Sequence, residues 1–495
     1  MNTRCIRSGL WLVILLLAPF VSGNSTAQNT RATMDPDKWR VIEYWTGERR
    51  ANAIPRDLVI DPRGLGYMRR PDGSLEPYGH NVAAGAEPRS RAPSAGAGGG
   101  SGDSSGPVIS IISPAAGATI GASYTFSATV TDVPSGVKSV TFKVQKGNLA
   151  AQSFSAASAG NGTWSVSLQG FTDGGWSWWV EAKDSAPRGG NSSTSSPVAF
   201  TVSTGGGSTG GGGTGDTVTN AHWTSGGNVL SSAGRLYFEM PGNAKRKVWW
   251  GYVCSGTVAT DDATNRSVII TAAHCVYDDV NKAFARNVMF IPDQDGTIGS
   301  ATDRNCSNDP IGCWVASFGV VDMNWTTRTF PDNIAWDYAF YVVNDSGAHS
   351  AGIDTSASAI LDDAAGSLPV SFGIVSYNSS TTADFTHALG YSYSEDPNLM
   401  YCAEDMTTEG AVNWWLPSCL LSGGSSGGPW IQPMSTGSGN IISVNSWGYT
   451  SGPGMAGPKL VGTSASCVFA TAKTGSPPNS APFDGEAGVA VTTCQ

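Results

Sequence analysis

Gly424-Ser425-Ser426-Gly427-Gly428-Pro429 and, upstream of it, Thr271-Ala272-Ala273-His274-Cys275 are the stretches on which the reading of this chain turns. Between them lies Trp336-Asp337-Tyr338-Ala339-Phe340. A serine hydroxyl is a poor nucleophile near neutral pH. It needs a base to take its proton, a carboxylate to hold that base in the right tautomer, and N–H groups aimed at the developing oxyanion. In chain order the three strings offer the base (His274), the carboxylate (Asp337) and the nucleophile (Ser426).

The local settings favour these roles over blander ones. Of the five histidines, only His274 follows a β-like apolar run (Ser267-Val268-Ile269-Ile270) and directly precedes a cysteine. The apolar residues after Asp337 suggest a strand that carries the carboxylate into a buried position. Ser426 lies in a Gly/Ser stretch, but a linker would not run on into Pro429-Trp430-Ile431 or be flanked by Cys419.

In this order and setting the chain resembles the chymotrypsin-like (trypsin-fold) serine proteases, in their secreted bacterial branch. The resemblance covers residues 218–475. It implies an all-β unit made of a double six-stranded β-barrel, with His274 and Asp337 from the first barrel and Ser426 from the second. It implies an oxyanion hole made by the N–H groups of Gly424 and Ser426, with glycines supplying unusual backbone angles. It implies that Cys254 and Cys275 are joined, because the family staples that loop. The family's usual Gly-Asp-Ser reads Gly424-Ser425-Ser426 here. Ser425 has no charge, so activation by pairing with a freshly cut N-terminus is not expected. Counting back six residues from the nucleophile puts Leu420 at the floor of the primary substrate pocket. Ser446-Trp447-Gly448 matches the pocket wall, a segment that also binds substrate backbone as an added strand. No carboxylate stands at the floor, so an apolar pocket follows.

The first residues read as a secretion signal, residues 1–27. Arg4 and Arg7 precede an apolar run from Leu10 to Val21, too short to span a bilayer, with small residues after it. Cleavage after Gly23 or Ala27 would remove Cys5. Left over are Cys254, Cys275, Cys306, Cys313, Cys402, Cys419, Cys467 and Cys494, an even set that reads as disulfides in an exported chain. Beyond Cys254 with Cys275 the pairing stays open. The nearest remaining neighbours are Cys306 with Cys313, Cys402 with Cys419, and Cys467 with Cys494. Without a Cys-x-x-Cys pair or a histidine at ligand spacing, no metal and no cofactor are expected. Asp293-Gln294-Asp295-Gly296 lacks the remaining ligands of a calcium loop and reads as a turn. Net charge is −10, which argues against nucleic acid or acidic lipid as a partner.

The length of 495 residues suggests two or three domains. Residues 28–92 are polar with basic pairs, and Trp39, Val41, Ile42, Tyr44 and Trp45 offer little mass for an independent core. A cleavable pro-segment and a flexible leader are both open. Residues 93–106 are a Gly/Ser/Ala-rich linker. From 107 to 203, period-2 runs recur between turn residues: Val108-Ile109-Ser110-Ile111, Tyr124 to Val130, Val137 to Val144, Trp164 to Leu168, Trp176 to Ala182, Val198 to Val202. They fit a β-sandwich and resemble the bacterial immunoglobulin-like domains attached to secreted enzymes. Alternation puts Trp176 and Trp178 on one face and Trp179 on the other, which favours core packing over a sugar-binding face. Residues 204–217 are a second linker, and 218–495 are the catalytic unit.

The expected protein is a secreted, monomeric serine endopeptidase acting on protein or peptide substrates. The alternatives are a non-enzymatic binder of a surface, matrix or polysaccharide through its sandwich, and an esterase using the same triad.

Overall fold

A computed structural model describes residues 35–81, 216–378 and 382–492. Within the sandwich region it describes residues 105–202 apart from 115–118, 121–122, 134, 148, 161–162, 170, 173 and 187–189. The expected signal sequence, most of both expected linkers and Cys494 lie outside the described residues. Strands dominate, as the period-2 patterning predicts, and the chain is all-β in class. Among the described residues no helix is long and apolar enough to cross a membrane.

The immunoglobulin-like region forms two sheets. One runs in the order 157–160, 163–169, 123–131, 108–113; the other has 174–184 between 198–202 and 137–146. Alternate residues point inward: Phe126, Ala128 and Val130 of one sheet share a core with Val140, Phe142, Val144, Trp178, Val180 and Ala182 of the other. Trp178 is fully buried, and its indole N–H donates to Pro114 O at 2.9 Å. Trp176 packs against the same core, edge-on to Phe171 and stacked on Phe200. The period-2 argument therefore accounts for both tryptophans as packing residues.

Residues 218–492 build three larger sheets, the third running Thr407–Glu409, Asn413–Leu416, Met455–Pro458, Trp447–Tyr449, and a two-stranded one, Tyr277–Asp278 with Ala283–Phe284. The largest runs Trp314–Val315, Arg286–Pro292, Ala233–Pro241, Trp249–Ala259, Arg266–Thr271, Ala339–Asn344, Phe318–Asp322, Gly488–Val491. A second runs Val218–His222, Met400–Asp405, Phe385–Gly390, Pro429–Ile431, Ile441–Val444. The pairings among the described residues follow open paths and do not close into the two six-stranded barrels expected from the resemblance. The helix Ala465–Thr474 lies across the large sheet, with Phe469 against Phe340. Disulfides join Cys254 to Cys275, Cys306 to Cys313 and Cys402 to Cys419. Cys467 is also disulfide-bonded, and its expected partner Cys494 lies outside the described residues.

Residues 35–81 do not stand apart as a leader. They lack mass for a core of their own, and they join the core of residues 218–492 instead. Val41, Ile42, Trp45 and Ala53 share a cluster with Tyr237, Val253, Met289 and Ile291. Leu58, Ile60, Met68 and Tyr78 enter the main core. Asp57–Ile60, Gly66–Arg69 and Leu75–Pro77 extend the third sheet from its strand Trp447–Tyr449. Lys38 Nζ is spent on three carbonyls, those of Asn344, Ser346 and Gly347.

Half-buried His387 is one of several groups that make stability depend on pH. His387 sits among the rings of Trp223, Phe385 and Tyr401, and burial pushes its imidazole down to about 4. A depressed histidine pKa means that the native state resists a proton the unfolded chain accepts. Its contribution is complete above the unfolded value near 6.5 and is lost as pH falls toward 4, by about 3 kcal/mol at most. Asp293, pushed up to about 7 by burial and by Asp295, contributes with the opposite sign, so a variant isolates the histidine better than the whole profile. The stability of His387→Phe relative to the parent should rise as pH is lowered from 7 to 4. A difference in melting temperature that stays constant across that range would refute this.

Candidate active site

The histidine is held by a strand end and a staple. Arg266–Thr271 pairs with Thr257–Ala259 on one side and with Ala339–Asn344 on the other. The chain then turns through Ala273–Cys275 in a single 3-10 turn. Thr271 Oγ1 donates to Ser255 O at 2.8 Å, and the Cys275 disulfide closes the other side. Asp337 ends the 3-10 turn Ile334–Trp336, just before the strand Ala339–Asn344. The register Thr271↔Ala339 brings the two strand ends together, and with them His274 and Asp337.

The carboxylate of Asp337 is buried and fully used. Oδ1 accepts from the His274 main-chain N–H at 2.8 Å, and Oδ2 is 2.7 Å from His274 Nδ1. Oδ2 also accepts from Ser446 Oγ at 2.5 Å. An ionised carboxylate only accepts, so Nδ1 carries the imidazole proton and Nε2 is left as an acceptor. Nε2 is buried and has no hydrogen-bond partner among the described residues. Ser446, read from the sequence as pocket wall, thus also orients the aspartate.

Ser426 sits on a loop wedged against the histidine turn. Gly424 has φ +98° and Gly427 φ +82°, the left-handed region that side chains disfavour. The loop is tied down from both sides. Ser255 N–H donates to Ser426 O at 2.7 Å and Ser255 Oγ to Gly424 O at 2.9 Å. Asn445 Nδ2 donates to Ser425 O at 2.9 Å. The carbonyls of Gly424 and Ser426 are thus both engaged by Ser255. Among the described residues nothing accepts from the N–H of Gly424 or of Ser426. Ser425 and Ser426 are distinguished by their hydroxyls: Ser425 Oγ is bound to Ser422 O at 2.8 Å, whereas Ser426 Oγ faces the cleft and donates to Arg56 O at 3.1 Å.

The pocket residues lie around this loop. Trp447 is buried, between Trp415 and Tyr449. A Cβ on Gly448 would stand 3.1 Å from Gly454 O, so the wall is close at that point. Leu420 is half-buried and its N–H donates to Thr219 O. It is Leu421 that enters the buried cluster of Cys419, Trp414 and Trp430.

Cys254, His274 and Cys275 bring their ligand atoms together. The two sulfurs are joined to each other, so no thiolate is offered to a metal. Sequence reasoning missed Pro55, Arg56 and Asp57 against the Ser426 loop, and Tyr252, Asp278 and Asp279 around Arg56. Asp57-Leu58-Val59-Ile60 carried the pattern of a strand, but nothing local to it named a partner.

None of the curated proteins matches. Among solved structures, the endo-beta-1,4-mannanase from Thermotoga petrophila is 20% identical over 21% of this chain and 21% of that one, with a TM-score of 0.17. An engineered protein is 24% identical over 20% of each chain, with a TM-score of 0.16. The matches span about a fifth of either relative, and at such scores they carry no argument. Residues 107–178 match the family model described as a bacterial Ig domain, within the region whose strands form the sandwich.

Proposed function

We propose that residues 218–492 are a chymotrypsin-like serine endopeptidase, exported and tethered to the immunoglobulin-like domain. The observation that carries this is the hydrogen-bonded chain Ser446–Asp337–His274 beside Ser426, whose loop holds two N–H groups with no acceptor among the described residues. In this reading the large sheet and the two smaller ones correspond to the two barrels of that fold. His274 Nε2 takes the Ser426 proton as Oγ attacks the scissile carbonyl. The N–H groups of Gly424 and Ser426 receive the oxyanion, and the imidazolium then protonates the leaving amine. Asp337 stabilises that imidazolium. Water repeats the sequence on the acyl-enzyme.

The primary pocket is apolar in this reading. Leu420 at its floor offers a cationic side chain no partner, so Phe, Tyr, Leu or Met should be preferred over Lys or Arg before the scissile bond. Cleavage of a mixed peptide library checks this, and a clear preference for Lys or Arg would remove the pocket assignment while leaving the triad.

A fluorophosphonate should label Ser426. Ser425→Ala should keep labelling within a few-fold, because the Ser425 hydroxyl is committed to Ser422 O. Mass mapping of the adduct decides: a label on Ser425, or a label retained in Ser426→Ala, overturns the assignment.

A further inference from the structure

The triad just described is closed to solvent by the chain's own residues. His274 is 0% exposed and Ser426 6%. The Ser426 hydroxyl donates a hydrogen bond to the main-chain carbonyl of Arg56, while His274 Nε2 has no hydrogen-bond partner among the described residues. The strand pairings define the path of this segment. Ile54 and Pro55 lie parallel to Tyr252 and Val253 on one wall. Leu58, Val59 and Ile60 lie parallel to Trp447, Gly448 and Tyr449 on the other. Arg56 bridges the two over Ser426, with its N–H on Val253 O.

The direction of that path is what matters. A bond cut by Ser426 leaves the residues on its N-terminal side attached to the serine. In the reading above those residues pair with Ser446–Gly448 as an added strand, which leaves the opposite wall, Tyr252–Val253, to the leaving half. Residues 54–60 run the other way. The residues after Arg56 fill the acyl side, and those before it fill the leaving side. The segment thus covers the nucleophile with a carbonyl whose own leaving group faces the wrong wall.

Its anchor is a buried arginine. Arg56 is 0% exposed, with its guanidinium 5.1 Å from the Tyr78 ring and 5.2 Å from the Tyr252 ring. Nη1 lies 3.9 Å from Asp278 Oδ2, and Nη2 donates to Tyr78 Oη. Tyr78 Oη in turn donates to Asp279 Oδ1 at 2.5 Å, and Asp279 Oδ2 is fixed by Phe330 N–H and Asn333 Nδ2. On the other side Arg69 joins Asp57 to Tyr449 O. A Cβ on Gly423 would fall 2.9 Å from Pro55 Cβ and Asp57 Cβ, so a glycine there admits the segment.

We propose that residues 54–60 are a built-in inhibitor, an extended strand bound in the substrate cleft in the reverse direction and anchored by Arg56 in a guanidinium site made by Tyr252, Asp278 and Asp279. The inhibition rests on the serine endopeptidase reading; the seating of the strand does not. Reverse binding explains how one strand occupies the cleft without being a substrate, and the anchor is the Nη2–Tyr78 Oη bond with Asp278 beside Nη1, while Nε and Nη1 have no hydrogen-bond partner among the described residues.

The test uses the full chain with residues 35–81 attached, checked by mass. Arg56→Glu sets a carboxylate against Asp278 and Asp279, and Arg56→Lys keeps the charge but loses the planar fork. Labelling of Ser426 by a fluorophosphonate should be slow in the parent, at least tenfold faster in Arg56→Glu and intermediate in Arg56→Lys. Equal and fast labelling of parent and both variants would overturn the inhibitor and leave the enzyme reading standing. Amide exchange at Trp447–Tyr449 and Tyr252–Val253 is read on the same samples. Where none of them labels, the enzyme reading falls. Protection in the parent that is lost in Arg56→Glu then still supports the seated strand, and equal exchange refutes it. Arg56→Lys serves both readouts should Arg56→Glu fail to fold.

Discussion

Asp337→Asn is expected to lower kcat by about 10⁴-fold while leaving the fold intact. The reason lies in the three hydrogen bonds that the Asp337 carboxylate accepts, from His274 N–H, His274 Nδ1 and Ser446 Oγ. An asparagine has one acceptor oxygen where the aspartate has two. If that oxygen stays on the main-chain N–H of His274, the amide NH₂ faces Nδ1. The imidazole must then present a lone pair at Nδ1 and carry its proton on Nε2, and it can no longer accept from Ser426. Ser426→Ala should fall further, to the residual rate that binding and the oxyanion hole supply. Ser446→Ala removes one bond of the three and should cost about tenfold, in line with about 1.5 kcal/mol for a hydrogen bond to a charged group. Activity is to be measured on enzyme with an accessible cleft, by active-site titration followed by single-turnover hydrolysis of a short peptide ester. Asp337→Asn with kcat within tenfold of the parent would show that His274 is oriented by something else. The comparison with Ser446→Ala matters because a merely structural aspartate would give the two variants similar, modest losses.

The parts of this protein that could be read from the sequence are those whose signal is local. His274 was visible because a β-branched run and a disulfide cysteine frame it within nine residues of chain. Asp337 was visible because a buried strand begins two residues later. The sandwich strands were visible because alternation has a period of two, and the buried set Phe126, Ala128, Val130 repeats it. What could not be read depends on pairing between distant segments. Nothing in Asp57-Leu58-Val59-Ile60 specifies Trp447–Tyr449 as its neighbour. Arg56, standing between a proline and an aspartate, looks like a solvated charge until Tyr252, Asp278 and Asp279 are brought around it. The same holds for barrel closure, which depends on register across whole sheets; the pairings here trace open paths. Ser425 and Ser426 were separable only in part, because the Ser-Gly-Gly-Pro spacing favours Ser426 while the direction of each hydroxyl is a tertiary fact.

Gly427→Ala is expected to cost both stability and activity, with the larger effect on activity. Gly427 has φ +82°, where a side chain costs about 1–2 kcal/mol whatever its surroundings. Its surroundings are also full. A Cβ would stand 2.0 Å from Thr271 Oγ1 and 2.4 Å from Ser255 O. Those two atoms form the buried hydrogen bond that holds the His274 turn, at 2.8 Å. Neither is the far end of a long flexible side chain, so the strain must be relieved by moving the loop that carries Ser426 away from the turn that carries His274. A shift of about 1 Å between nucleophile and base is enough to cost about 10²-fold in rate. Gly410 supplies the control, since it has φ +59° and nothing within 4 Å of the added Cβ. Gly410→Ala should pay only the backbone term and leave labelling of Ser426 unchanged. Thermal unfolding and the fluorophosphonate labelling rate, measured on both variants once the cleft is accessible, separate strain from geometry. Gly427→Ala that labels at the parent rate would mean that the loop has room to give at this point, and that the close contact between the Ser426 loop and the His274 turn does not set the geometry of the pair.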